Sequence, residues 1–411
     1  MLMSKAKVII AGAGIAGPVL AMFLKGTGYD PIVYERTESP TNHGLSLVLQ
    51  PNGLRVLALV PGLLDKVVGG RIQALVQLSA LPEDQGELSR SDAPLRGEVG
   101  LGFGVKGVRR TVFHRVLLEH AESLGISIVF GHQLVSLGEA ADSVTVTFAN
   151  GKTDTASFVV GCDGLRSNTR ECLFGKQDPT FTGLVQTGGL SETPEELREQ
   201  QSVMNIYGDG AHMIAYPVND HQTSWGLTTR EPEAKESWLA MDEEAQQKFR
   251  EGPYSQWPFG AGKLIAQGEN IIKYGLYDRP ELASWHKSRA VLLGDAAHPT
   301  SPHIGQGANQ AFEDVYHLVR LLSKHNPDAT EPSTELLSRI FTEFDNVRIA
   351  RTSEVVKRAR KQGEYRVVEG VEACKKRNDH FRREAMMPPS QLQEMVHNPF
   401  TVGHSEVSLV F

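Results

Sequence analysis

From Lys7 to Ala11 the chain is almost unbroken apolar, with β-branched Val8, Ile9 and Ile10, the pattern of a strand buried on both faces. After Gly14 the apolar positions change spacing: Ile15, Val19, Leu20, Phe23 and Leu24 follow a helical period that closes at Gly26 to Gly28. A second short β-branched run, Pro31 to Tyr34, comes next, so the first forty residues predict strand, turn, helix, strand. LSLVLQPNGLRVLALV then reads as a strand, a Pro51-Asn52 turn and a helix. Residues 73–97 lose all periodicity and carry Pro82, Gly86 and Pro94, which predicts an irregular stretch belonging to a different structural unit.

Helical spacing returns over Arg110 to Leu124, with Gly125 placed as a C-terminal cap. ISIVFGHQLVSL, SVTVTFANGK and TASFVVGCDG predict strands, two of them joined by an Asn150-Gly151 hairpin turn. Between about 178 and 277 alternation dominates, in SVMNIYG, HMIAYPV and QTSWGLTTR, followed by an acidic helix around Met241 to Arg250. This predicts a separate antiparallel sheet. RAVLLGDAAH restores a buried, parallel-type strand, a helix begins after Gly307, and from about 332 the chain is mostly helical with a proline-containing break at Met387 to Pro389. The expected fold class is therefore α/β: a discontinuous Rossmann-like domain from 1–72, 98–177 and 278–331, an inserted antiparallel sheet domain from 73–97 and 178–277, and a helical C-terminal region, 332–411.

Three glycine-bearing segments lie at predicted strand ends. In GAGIAG, Gly12 suits the tight turn, Gly14 lets backbone approach a pyrophosphate, and Gly17 lets helix and strand pack, with the helix opening at Ile15 and Ala16 facing the phosphates. Glu35, with Arg36 beside it, ends the next strand eighteen residues after Gly17, where a carboxylate binds adenosine ribose hydroxyls and disfavours a 2′-phosphate. GCDGLRSNTR ends another strand and places Asp163 near the same ligand, although an ordinary strand-to-helix turn with an Asp cap has the same spelling. In GDAAHPTSPHIGQGANQAFED, a buried strand delivers Gly294 and Asp295, the latter placed for a ribitol hydroxyl. Pro299 and Pro302 stiffen the loop, and Gly305, Gln306, Gly307, Ala308 and Asn309 offer backbone N–H groups to a reduced, anionic flavin. Taken together the segments point to bound FAD.

Composition narrows the class without changing it. The 411 residues are 40% hydrophobic and 22% charged with a net charge of −7, enough for two or three domains and without the basic balance of a nucleic-acid binder. The apolar stretch from Val8 to Leu24 is short, glycine-rich and broken by Pro18, so no membrane span or secretory leader is expected. Cys162, Cys172 and Cys374 form neither a C-x-x-C pair nor a His/Cys cluster; no metal site is expected and a reducing, cytoplasmic setting fits. The basic stretches KRARK and KKR lie among glutamates and read as solvated helix faces.

From Lys7 to about Leu322 the three segments resemble those of the group A FAD-dependent aromatic hydroxylases, the family of para-hydroxybenzoate and salicylate hydroxylases, with a GR2-type FAD-binding domain. The resemblance implies roles by motif. Gly12, Gly14, Gly17 and Glu35 would hold the ADP half. Arg110, in RRTVFHRVLL, matches the family's Arg-x-x-Leu helix start, with Phe113 in place of the leucine, and would serve the FAD phosphate and ribitol region; Arg109 lies beside it. Asp163 would serve both FAD and a transient NADH or NADPH, and Asp295, Pro299 and Gly305 to Asn309 the ribitol and isoalloxazine. The implied reaction is reduction of the flavin by NAD(P)H, addition of dioxygen at flavin C4a, and oxygen transfer from the hydroperoxide to an electron-rich ring. No second Rossmann motif is needed for this, and none is present.

Ring hydroxylation is helped by deprotonating a phenol, so a base or acceptor is expected near the substrate. His212 and Tyr216 share one face of the predicted strand HMIAYPV with Ile214, and the His-x-x-x-Tyr-Pro spelling resembles the substrate strand of salicylate- and 3-hydroxybenzoate-type hydroxylases; a satisfied sheet histidine and a packing tyrosine remain the alternative. Tyr207, Trp225 and Arg230, the last as a carboxylate clamp, are further substrate candidates on neighbouring strands. The expected substrate is a phenolic or aromatic acid; plain ring hydroxylation and attack at a carboxylate-bearing carbon, with oxidative decarboxylation, both stay open. A flavin-dependent epoxidase, an uncoupled NAD(P)H oxidase and a non-catalytic flavin-binding protein stay open, whereas a halogenase would carry Trp-x-Trp-x-Ile-Pro, absent here. Oligomeric state is open, a homodimer included.

Overall fold

The computed structural model describes residues 5–40, 44–233, 241–384 and 409–411. A six-stranded sheet is built around the first apolar run: Lys7–Ala11 lies between Phe158–Gly161 and Asp30–Tyr34, with Ala290–Leu292 and then His286–Lys287 beyond the former and Ser127–Val129 beyond the latter. Its pairings are parallel except for the two-residue edge strand His286–Lys287. Such a sheet must be covered on both faces, which explains why Val8, Ile9, Ile10, Val159, Val160 and Val291 are all fully buried. The helices Ala16–Gly26 and Gly307–His325 cover it, packed against one another and backed by Phe341 and Phe344 of the helix Thr334–Arg366.

The second large sheet has seven strands in the order Glu269–Asp278, Thr180–Glu192, Gln222–Arg230, Ala211–Pro217, Ser202–Tyr207, Ala74–Ser79 and Gly86–Ser91. It is antiparallel save for one pair, since Ser202–Tyr207 and Ala74–Ser79 run parallel. Residues 73–97 are thus not irregular. They supply the last two strands of this sheet, Gly86–Ser91 at its edge, and the start of the helix Ala93–Leu101. Their signal was weak because an edge strand with one solvated side tolerates the polar run GELSRS. One face of the sheet packs Met204, Ile206, Met213, Trp225 and Leu227 against the helix Ala261–Ala266. The other face turns toward the first sheet.

Two small sheets complete the strands: Ser46–Leu49, Val105–Arg109 and Gly70–Ile72 between the large ones, and the meander Leu134–Glu139, Val144–Phe148 and Thr153–Ala156, whose last hairpin turns at Asn150-Gly151. Pro51-Asn52 is not a separate turn. Pro51 opens the helix Pro51–Leu57 at its first position, where its fixed φ and missing N–H cost nothing. The helices Thr334–Arg366 and Val371–Glu384 return over the second sheet; the proline-containing break expected at Met387 to Pro389 lies outside the described residues. Among the described residues no helix is long and apolar enough to cross a membrane.

Candidate functional site

Two cavities meet at the C-terminal edge of the parallel sheet. The first, of about 390 Å³, is lined by the glycine turn Gly12–Gly14, Glu35, Arg36, Arg110, Asp163 and Asp295. The second, of about 320 Å³, lies between the loop Pro299–Ala308 and the seven-stranded sheet. Arg110, Leu165 and Asp295 border both, so together they form one elongated space.

The first cavity follows from local packing. A Cβ on Gly17 would collide with the Gly12 carbonyl oxygen, whereas one on Gly14 would meet nothing within 4 Å, because Gly14 faces the void. Glu35 braces the turn, one carboxylate oxygen accepting the Ala13 N–H at 2.8 Å and the other the Thr37 N–H at 3.0 Å. His114, from the helix Arg110–Ser123, adds a contact of 2.6 Å from Nε2 to the Ala13 carbonyl. Burial, more than the neighbouring Arg110, holds its imidazole below the usual value. Asp163 is half-buried, and its carboxylate takes the Ser167 hydroxyl and both the N–H and hydroxyl of Thr169, the latter two at 2.9 Å. Desolvation still raises it above the ordinary aspartate value. The helix cap itself is Ser167, which accepts the Arg170 N–H at 2.8 Å.

Other motif residues work one layer away. Gly17 is buried in packing, and Ile15, Ala16 and Gly294 lie outside both linings, Gly294 close against Ala311 and Ala16. Gly305, Gly307 and Ala308 line the second cavity, at the start of the helix Gly307–His325, whose first-turn N–H groups have no intrahelical acceptor. Gln306 and Asn309 point elsewhere: Gln306 joins a buried amide network with Gln50, Asn52 and Gln310, and Asn309 ties Val48 and Gly305 together at 2.9 and 2.8 Å. A sequence motif marks such residues without separating those that face a ligand from those that shape the loop.

The wall of the second cavity facing the loop is a row of hydroxyls. Tyr216 Oη lies 2.7 Å from Ser46 Oγ, which donates to Ser224 Oγ at 2.6 Å, and Tyr274 Oη donates to Gln186 Oε1 nearby. Burial pushes the Tyr216 phenol up to about 12, against the Ser46 hydrogen bond, so it stays protonated at neutral pH. Pro299 and His303 border the space from the loop and Arg366 from the long C-terminal helix. Alternation along Ala211–Pro217 puts Ile214 and Tyr216 in this lining as expected.

Four expected substrate contacts are placed differently. His212 shares the face of Tyr216 but stands beyond the cavity, fully buried, with Nε2 3.1 Å from Asn205 Oδ1 and its ring 4.8 Å from that of Tyr207. Burial first, then Arg366, His303 and Arg377, hold it well below the usual histidine value, so it is neutral. Tyr207 also misses the cavity, donating to Gln77 Oε1 at 2.7 Å under Phe381. Trp225 borders the cavity, but its indole packs with the opposite face, bonded through Nε1 to Ser191 Oγ at 2.8 Å and stacked on Phe249. Arg230 is a surface group paired with Glu364 at 2.6 Å, and Arg109 reaches Gln222 at 3.3 Å, away from both cavities. Strand parity could exclude Trp225, but how far along a face the cavity extends depends on what covers the sheet. Among the described residues no group of acidic, histidine and cysteine side chains is arranged to hold a metal.

The space fits FAD: an open backbone approach at Gly14, a braced carboxylate at Glu35, and an elongated void leading to a helix N-terminus. Residues 5–334 match the family model described as FAD binding domain. The chain is 29% identical to the 3-amino-4-hydroxybenzoate 2-monooxygenase of Streptomyces cremeus over 94% of this chain and 93% of the relative. To a 3-amino-4-hydroxybenzoate 2-monooxygenase of Streptomyces platensis it is 30% identical, over 87% of each. Klebsiella pneumoniae HpxO, solved with FAD and uric acid, has the same fold, with a TM-score of 0.79 at 23% identity over 95% of both chains. The chain belongs to the FAD binding domain family and, within it, to the FAD-dependent aromatic monooxygenases.

Proposed function

We propose that this protein consumes NADH or NADPH to hydroxylate a phenolic or other aromatic acid. The observation that carries the reading is the continuity of the two cavities: a dinucleotide space bordered by Glu35 and Arg110 opens, past Asp295, onto a chamber walled by Tyr216, Ser46 and Ser224. In that arrangement Gly12, Gly14, Glu35 and Arg36 hold the ADP half of FAD, Arg110, Asp163 and Asp295 its middle, and the first-turn amides after Gly305 the flavin ring. Bound FAD supplies the redox chemistry, taking electrons from the nicotinamide and delivering them to dioxygen. The names of the Streptomyces relatives, both of which specify a hydroxylated benzoate, support an aromatic acid.

The chain's own part is to place the ring, exclude water and handle one proton. Tyr216, kept protonated by burial, donates to Ser46, which donates in turn to Ser224, and this leaves the phenol oxygen free to accept and orient a substrate hydroxyl. Here Tyr216 takes the role first expected of His212, whose Nε2 is occupied by Asn205. Pro299 keeps the loop stiff against the chamber. The test is NADH and NADPH oxidation by the FAD-loaded protein across hydroxybenzoates and related phenols, with mass spectrometry of every product. A product one oxygen heavier, with or without loss of carbon dioxide, is expected and names the regiochemistry. Nicotinamide oxidation that yields only hydrogen peroxide with every phenolic acid would sink the hydroxylase reading.

A further inference from the structure

Arg366 is the last residue of the helix Thr334–Arg366, only 7% exposed, and it borders the second cavity. Buried guanidinium groups are costly unless ringed by acceptors; Arg170 and Arg377 each leave one nitrogen without a partner, but both reach two or more backbone carbonyls. Arg348 has Glu313 and Asp314, each at 2.7 Å, and Arg289 reaches the carbonyls of Ala141, Ser157 and Pro332. Arg366 is different. Its Nη2 donates to Asn205 Oδ1 at 2.9 Å and the Tyr207 phenol stands beside it, but its Nε has no partner and, among the described residues, no carboxylate pairs with it.

Its neighbours share the deficit. His303, 3% exposed and also on the cavity wall, has no hydrogen bond to either ring nitrogen. It packs so tightly on the long helix that a Cβ on Gly363 would stand 2.5 Å from the imidazole. His212, behind Arg366, lacks a partner at Nδ1. Burial and then Arg366 push the His303 imidazole down to about 3, as expected where a fixed positive charge has no counter-ion. Three nitrogen-bearing side chains from three elements thus converge at one end of the chamber around an unneutralised guanidinium.

We propose that this end of the cavity, between Arg366 and His303, receives the carboxylate of the aromatic substrate, and that Arg366 is the residue selecting acids over neutral phenols; the inference rests on the hydroxylase reading given above. A carboxylate there fills the unused Nε and an adjacent Nη with two parallel charge-assisted bonds, while neutral His303 adds an N–H. It replaces Arg230, whose charge is already met at the surface by Glu364.

The test is binding to the FAD-loaded enzyme without nicotinamide, read from the flavin absorbance, using three probe pairs: salicylate and salicylamide, 3-hydroxybenzoate and 3-hydroxybenzamide, 4-hydroxybenzoate and 4-hydroxybenzamide. At least one acid is expected to bind roughly tenfold or more tightly than its amide, the size expected of a buried charged hydrogen bond. Arg366→Gln should bring each such pair to near parity, and Arg366→Lys should keep part of the preference, both with unchanged FAD content and Tm. Equal binding of acids and amides, no response to any acid at millimolar concentration, or a preference that survives Arg366→Gln in a folded variant overturns the proposal. Acid preference that depends on Arg366 but never leads to a hydroxylated product would leave the anion site standing and remove the hydroxylase reading instead.

Discussion

Gly14 separates binding from folding more cleanly than any other residue of the glycine turn. Because a Cβ there meets no protein atom within 4 Å, Gly14→Ala should leave the apoprotein's stability within about 0.5 kcal/mol, as for a harmless substitution. The added methyl projects into the space proposed for the pyrophosphate, so FAD content after purification should fall, measured by flavin absorbance against protein. Full FAD content would show that the phosphates lie elsewhere. Legibility at this scale was uneven for a physical reason. Gly14 and Glu35 could be placed from sequence because a strand-turn-helix leaves little freedom over a few residues. His212 and Tyr207 could be assigned to a face by parity, but Phe381 and Arg377, from a helix more than a hundred and sixty residues on, cover that part of the face and close it off.

Between elements, the helices Gly307–His325 and Thr334–Arg366 are joined by charge. Arg348 donates to Glu313 and Asp314, Arg351 bonds Glu313 at 2.6 Å, and Asp314 also binds His298 and, at 3.0 Å, the Gly294 N–H, anchoring the start of the cofactor loop. Arg348→Met leaves two carboxylates buried without their main cation and should cost about 3–5 kcal/mol in urea unfolding. A loss under about 1 kcal/mol would mean that the pair relaxes to water or other partners. Acid should reveal the same network. Burial pushes Asp314 up, but His298 and Arg348 outweigh it and bring it from 3.8 to about 2. A carboxyl lowered on folding contributes its stability above the unfolded value and loses it as pH falls toward the folded one, so the wild type's urea midpoint should drop between about pH 4 and pH 2. In Arg348→Met that drop should begin at higher pH. None of these pairs was visible in sequence, since the partners lie well beyond one or two helical turns of each other. The strands at 73–97 were missed because their alternation is one-sided and their place at a sheet edge is conferred by Ser202–Tyr207.

At the level of the whole molecule, the two large sheets face each other across the void proposed here to hold FAD, so the cofactor should act as part of the core. Saturating the apoprotein with FAD at ~100 times its Kd should raise unfolding free energy by about 2.7 kcal/mol if only the folded state binds. A thermal midpoint indifferent to FAD would contradict that. Here the line between what one dimension carries and what three add is clear. The nucleotide-binding half was legible because each of its functional groups lies within a few residues of a strand end, where backbone geometry and turn chemistry are local. So was the existence of a second sheet, since alternation is a property of neighbouring residues. Beyond Tyr216 the chamber wall was not: Ser46, Ser224, His303 and Arg366 come from separate strands, a loop and a long helix, and no periodicity links them. The arginine-rich helix read as a solvated face because most of its charges are solvated. That Arg366, like Arg348 and Arg377, turns inward, beside a glycine that lets the helix touch His303, is decided only when the chain's last third folds back over its middle.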